Sequence, residues 1–169
     1  VRGGTGEAKC GGNYGASTRA GERAEAKGYS QVLWLDGVER KYVEEGGGMN
    51  VMFKIGGTVV TPALTGSILR GITRKSSIEL LKSWGVLVEE RLLSVDELFK
   101  AAESGALEEA WCVGTAAVVS PIGTLSWDGR DYPINGNKIG ALSRRLYDEL
   151  TGIQWGTKPD PFGWTCPID

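Results

Sequence analysis

Hydrophobic and polar positions along the chain change period several times, and each change predicts an element. Residues 14 to 27 (YGASTRAGERAEAK) are rich in Ala, Glu, Lys and Arg and stop at Gly28, the composition and punctuation of a helix. Gln31 to Leu35 is an apolar strand, and Asp36-Gly37 supplies a hairpin-type turn into a second strand, Arg40 to Glu44. Met49 to Ile55 and Thr58 to Thr61 flank Gly56-Gly57 and predict another hairpin. Ile72 to Trp84 reads as a helix with Ile78, Leu81 and Trp84 on its apolar face, closed by Gly85. A strand over Val86 to Leu92 follows, then a helix capped by Ser94, with Asp96 and Glu97 in its first turn and Val95, Leu98, Phe99 and Ala102 on one face. Three short strands are expected at Glu109 to Val113, Ala116 to Ser120 and Thr124 to Trp127. Ile139, Leu142, Leu146 and Leu150 recur at helical spacing, and the Trp/Gly/Pro-rich tail from Trp155 is irregular. Strand pairs alternating with helices, without a strict β-α-β rhythm, predict an α+β or mixed α/β domain around a central sheet.

The 169 residues, 41% hydrophobic and 24% charged, suit one globular domain. Its 19 basic and 21 acidic residues are interspersed, so no basic stripe exists to follow a phosphate backbone, and nucleic acid is not expected as a partner. No apolar run approaches the roughly 20 residues that cross a bilayer, and the N-terminus lacks a signal-peptide pattern; a cytoplasmic protein is expected. Cys10, Cys112 and Cys166 are scattered and form no C-x-x-C pair, so no metal site is expected. The absence of histidine removes the usual general base of hydrolases and leaves chemistry to Lys, Tyr, Cys or carboxylates. Val1-Arg2-Gly3-Gly4 enters a glycine-rich motif with no initiator methionine, which suggests a piece of a longer polypeptide.

Four stretches could carry chemistry. In GEAKCGGNYGAS (6 to 17), Lys9 is flanked by glycines that would let the backbone approach a bulky planar partner, with Asn13 and Tyr14 adding hydrogen-bonding groups. A lysine of lowered pKa can attack a carbonyl; the structural alternative is a surface lysine in a glycine-rich turn. In YVEEGGGMN (42 to 50), one of Glu44 and Glu45 should face inward and need a cationic partner, for which a protonated pyridine nitrogen would serve; the alternative is two solvated charges. LTGSILRGITR (64 to 74) runs into a helix start where the free amides of Ile72 and Thr73 suit an anion, although most such helix starts bind only water. CVGTAAVVSP (112 to 121) places Thr115 and small residues between apolar runs, as either a plain turn or a site of close ligand approach. Together these supply an amine, a tyrosine, a carboxylate and two phosphate-friendly turns, the parts of a pyridoxal phosphate site.

The order and spelling of the pieces add a resemblance. G-G-x-G-x-x-K-x-G-G-N-Y at Gly3 to Tyr14, Q-V-L-W-L-D at 31 to 36, E-x-G-x-M-N at Glu45 to Asn50, G-I-T-R at 71 to 74 and G-T-A-A at 114 to 117 resemble the branched-chain amino acid aminotransferases. These are fold type IV pyridoxal phosphate enzymes. The match spans residues 1 to 169 and looks like the family's C-terminal, cofactor-binding large domain, with a small N-terminal domain expected to be missing. The resemblance implies a homodimer acting on amino acids and 2-oxo acids, with Leu, Ile or Val as donor and 2-oxoglutarate as acceptor.

Carried over by position, the resemblance implies that Lys9 links to the cofactor and then moves the substrate proton. Tyr14 would hydrogen-bond the cofactor's phenolic oxygen, Glu45 would pair with the pyridine nitrogen, and Leu69 would pack on the ring. The amides of Ile72 and Thr73 and the hydroxyl of Thr115 would hold the phosphate. Backbone around Gly48, Ala116 and Ala117 would meet the substrate carboxylate. The family usually carries β-branched or small polar residues where Gly46 and Gly48 stand, and the C-x-x-C pair of its mammalian members is replaced by Ala117 and Ser120. The absent domain would supply a phosphate-binding arginine and part of the substrate pocket, so the isolated piece is expected to be weakly active or inactive. D-amino acid transamination, aminodeoxychorismate cleavage and a non-catalytic isolated module stand as alternatives.

Overall fold

A computed structural model describes residues 2–168. The glycine-rich start leads into two short helices, α1 (Gly11–Gly15) and α2 (Thr18–Glu25). The predicted single helix over 14 to 27 is broken because Ser17 Oγ donates to Tyr14 O at 2.7 Å and Thr18 Oγ1 to Gly15 O at 2.7 Å. These hydroxyls take the carbonyls that a continuous helix would use.

Strands β1 (Leu33–Leu35) and β2 (Val43–Gly46) pair antiparallel. The connection is a longer loop than the expected tight turn, and β2 starts later than Arg40. The Asp36 carboxylate accepts amide N–H groups from Val38, Glu39, Lys41 and Tyr42 at 2.6 to 3.1 Å and winds the loop around itself. Those bonds, led by Tyr42 and Lys41, hold its pKa well below the usual carboxylate range.

Strands β3 (Met49–Ile55) and β4 (Thr58–Pro62) form the predicted hairpin over Gly56-Gly57. Helix α3 (Ile72–Ser83) returns the chain to β5 (Val88–Arg91), which lies parallel to β4 and makes the sheet mixed. Helix α4 (Val95–Ser104) is capped by Ser94, whose Oγ accepts the Glu97 N–H at 3.1 Å, and ends at left-handed Gly105. Strands β6 (Leu107–Gly114) and β7 (Val118–Pro121) complete the seven-stranded sheet. A separate hairpin joins β8 (Thr124–Trp127) to β9 (Arg130–Pro133), the second of which has no counterpart in the sequence expectation. Helix α5 (Ala141–Gln154) begins after Ile139, which stays exposed.

Strand alternation divides the core. Val51 and Phe53 of β3, with Ala110 and Cys112 of β6, face α4 and the β8–β9 hairpin. Met52, Trp111 and Val113 face α3 and α5. Along one edge of β3 runs β6 over its whole length; β2 and β4 share the other edge, pairing with its start and its end. Asn50 therefore lies opposite both Glu45 and Val113. That register brings the β2–β3 turn and the β6–β7 turn to the same end of the sheet.

Candidate active site

At this end Glu44 and Glu45 leave β2 toward the loop that precedes α3. Glu44 Oε1 accepts the Ser67 hydroxyl, and Ser67 Oγ lies 3.1 Å from Thr65 Oγ1. Glu45 is half-buried, and Asn50 Nδ2 sits 3.4 Å from its Oε1 while donating to Leu69 O at 3.0 Å. Burial pushes the Glu45 carboxyl up, the Leu69 backbone amide opposes that rise, and the charge of Glu44 adds to it. Among the described residues no cation forms an ion pair with Glu45.

Asn50 is the link that the sequence expectation left without a role. It is buried, and a Cβ on Gly71 would run into its Oδ1, so its side chain fills the space beneath the entry to α3. Gly71 is the N-cap residue of that helix, and no side chain caps it. The first-turn amides at Ile72 and Thr73 thus lack a side-chain acceptor, while the helix dipole favours an anion beside them. Ile72 is 73% exposed and Thr73 is buried.

The β2–β3 turn holds Gly48, and a Cβ there would lie 3.9 Å from Tyr14 Cε1, so the tyrosine ring stands over this turn. Thr115, Ala116 and Ala117 form the exposed β6–β7 turn. It closes on Val118 at φ 56°, a left-handed conformation unfavourable for a β-branched residue.

Lys9 lies on the exposed segment before α1, and its ammonium makes no ion pair among the described residues. The segment itself is fixed. Asn13 Nδ2 donates to Thr5 O at 2.6 Å and Ala8 O at 2.9 Å, and Asn13 Oδ1 accepts Thr5 Oγ1 at 3.0 Å. Two residues before Lys9, Glu7 pairs with Arg70 at 2.9 Å and attaches the segment to the loop before α3. The structure therefore joins Glu45 to Leu69 through Asn50, and Gly48 to Tyr14, with the 115–117 turn at the same sheet end. Among the described residues no ion pair joins Lys9 to the others.

Residues 7–125 match the family model for amino-transferase class IV. The chain belongs to that family. Among its class IV relatives, branched-chain-amino-acid aminotransferase 2 of Bacillus subtilis (strain 168) is 55% identical over 168 residues, 99% of this chain and 46% of that protein. A probable branched-chain-amino-acid aminotransferase of Staphylococcus aureus (strain N315) is 56% identical over 168 residues, 99% of this chain and 47% of that one. The chain spans about half the length of the curated relatives it matches.

The Escherichia coli branched-chain amino acid aminotransferase superposes with a TM-score of 0.80 at 32% identity, covering 97% of this chain and 52% of that one. The branched-chain amino acid aminotransferase from Thermobaculum terrenum, solved in its PLP-form, gives 0.78 at 29%, covering 94% and 48%. This class IV chain thus has the mixed α/β fold of those fold type IV aminotransferases. No helix among the described residues is long and apolar enough to cross a membrane.

Proposed function

We propose that this chain is the cofactor-binding half of a branched-chain amino acid aminotransferase, transferring the amino group of leucine, isoleucine or valine to 2-oxoglutarate. The observation that carries the reading is the convergence of Glu45, Asn50 and Leu69 with the uncapped start of α3. It occurs in a chain 55% identical to a relative named for this activity.

The residues present fit pyridoxal phosphate. Glu45 is a half-buried carboxylate without a cationic partner among the described residues, and a protonated pyridine nitrogen would supply one. The uncapped amides of α3 suit a phosphate, and the exposed Thr115 hydroxyl can add a donor. When bound, the cofactor supplies an electron sink for the bond broken at the substrate Cα.

The chain's own residues do the rest. Lys9 is the amine that would hold the cofactor, and its Nζ would hold and move the proton at the substrate Cα. Tyr14 donates its hydroxyl to the phenolic oxygen. Glu45 keeps the ring nitrogen protonated, and Leu69 packs on the ring face. Ile72, Thr73 and Thr115 bind the phosphate. Backbone at Gly48, Ala116 and Ala117 receives the substrate carboxylate. An apolar side-chain pocket accepts all three aliphatic donors because single methylenes are worth only about 1–3 kcal/mol there. The working enzyme is read as a cytoplasmic homodimer of a longer, two-domain polypeptide.

Steady-state assays of that longer polypeptide with pyridoxal phosphate and 2-oxoglutarate test the assignment. Turnover of L-leucine, L-isoleucine and L-valine well above D-alanine supports it. Preferred turnover of D-alanine, or pyruvate release from aminodeoxychorismate, overturns it in favour of a sister activity.

A further inference from the structure

The Q-V-L-W-L-D stretch at 31 to 36 has no part in the site described above, yet two of its side chains and one of its carbonyls converge on the β2–β3 turn. Trp34 Nε1 donates to Gly47 O at 2.9 Å. Val32 O accepts the Gly47 N–H at 2.8 Å. Gln31 lies against the α-carbon of Gly47 so closely that a Cβ there would meet its Oε1, and Gly47 has φ 61°. The peptide on either side of Gly47 is therefore held by β1 and the residues just before it.

That hold has a directional consequence. In a trans peptide the C=O of one residue and the N–H of the next point in opposite directions, and the described chain contains no cis peptide. With Gly47 O drawn to the Trp34 indole, the Gly48 N–H points away from Trp34. It finds no acceptor among the described residues. Gly48 is exposed, and Tyr14 borders it. A free amide on a two-glycine turn is a donor for an anionic oxygen, but glycines alone would let the peptide flip.

We propose that Trp34 is a positioning residue: its indole N–H locks the Gly47–Gly48 peptide so that the Gly48 amide is presented to the substrate carboxylate. This rests on the assignment of the Gly48 backbone to substrate in the preceding section. The chemistry recognised is an aliphatic carboxylate, common to the amino acid and the 2-oxo acid. Trp34 touches neither substrate nor cofactor in this role, so its removal weakens carboxylate binding and leaves cofactor binding alone.

The test uses the longer polypeptide loaded with pyridoxal phosphate, titrated with 4-methylvaleric acid and followed by the visible absorption of the cofactor. In parallel, cofactor affinity is measured by fluorescence quenching. Trp34→Phe keeps an aromatic ring and deletes the donor. The expected result is about fivefold to tenfold weaker acid binding, the worth of one hydrogen bond, with cofactor affinity within twofold of the parent. Equal acid binding by parent and variant overturns the proposal. So does an equal loss of cofactor affinity, which would make Trp34 a purely structural residue. Failure of the parent itself to bind the acid counts instead against the Gly48 assignment and takes the proposal with it.

Should Trp34→Phe not fold, the parent protein supplies two readouts by NMR. The Trp34 indole proton should be protected from solvent exchange, and the Gly48 amide resonance should shift on adding the acid. Rapid indole exchange, or an unmoved Gly48 amide, overturns the proposal.

Discussion

Gly46 and Cys112 fit against each other so closely that a Cβ on Gly46 would stand 2.5 Å from Cys112 Sγ. Cys112 Sγ also lies 3.9 Å from Gly46 O. This explains why glycine stands where the resemblance expects a larger residue: the β6 thiol occupies the space. Gly46→Ala should destabilise the fold by about 1–3 kcal/mol through overpacking. Adding Cys112→Ala should restore part of the loss, and urea denaturation of the two single variants and the double variant measures the coupling.

Thiol reactivity follows from the same packing. Burial pushes the Cys112 thiol up to about 12, and the nearby Glu45 charge adds to the effect. Cys10 is held below the ordinary thiol value, chiefly by the neighbouring Thr5 side chain and next by the Asn13 backbone amide. Iodoacetamide at neutral pH should label Cys10 ahead of Cys112, with Cys112 modified only after unfolding, as read by peptide mass mapping. Early labelling of Cys112 would contradict the packing described for β6.

Glu109 gives a second stability test. This buried β6 carboxylate accepts Leu142 N–H at 3.0 Å and Ser143 N–H at 2.9 Å, capping α5 from outside its own sequence. Glu109→Ala leaves both amides without that acceptor and should cost about 1–3 kcal/mol in chemical denaturation. Glu109→Gln keeps one amide oxygen and should lose less.

The raised pKa of Glu45 sets a pH dependence for the cofactor-free chain. From the ordinary carboxylate value of 4.5 up to the higher folded value, the folded chain holds a proton that the unfolded chain has lost. Stability therefore falls as pH rises through that window. Glu45→Gln removes this contribution. The difference in melting temperature between parent and variant should move in the variant's favour as pH rises above 4.5, and a flat difference would contradict the burial of Glu45.

Much of this was legible in the residues because it depends on local period. The unbroken apolar run of Val51, Met52 and Phe53 leading to the Gly56-Gly57 turn marks a buried strand whatever lies beside it, and Ser94 with Gly105 brackets α4 by backbone chemistry alone. The break at Ser17 and the long 36–42 loop were hidden, since each arises from a side chain choosing a backbone partner rather than from hydrophobic pattern. The candidate site divides the same way. Glu45 and the α3 start stand out by residue type, whereas Asn50 gains its role from the β2–β3–β6 register and from Gly71, 21 positions away, and Trp34 from the turn it holds.

The most direct test of the central claim is borohydride reduction of the protein mixed with pyridoxal phosphate, followed by peptide mass mapping, on this chain and on the longer polypeptide. A single pyridoxyl adduct at Lys9, at least in the longer polypeptide, is the predicted result. Adducts scattered over other lysines, or none, in the longer polypeptide would contradict the assignment of Lys9.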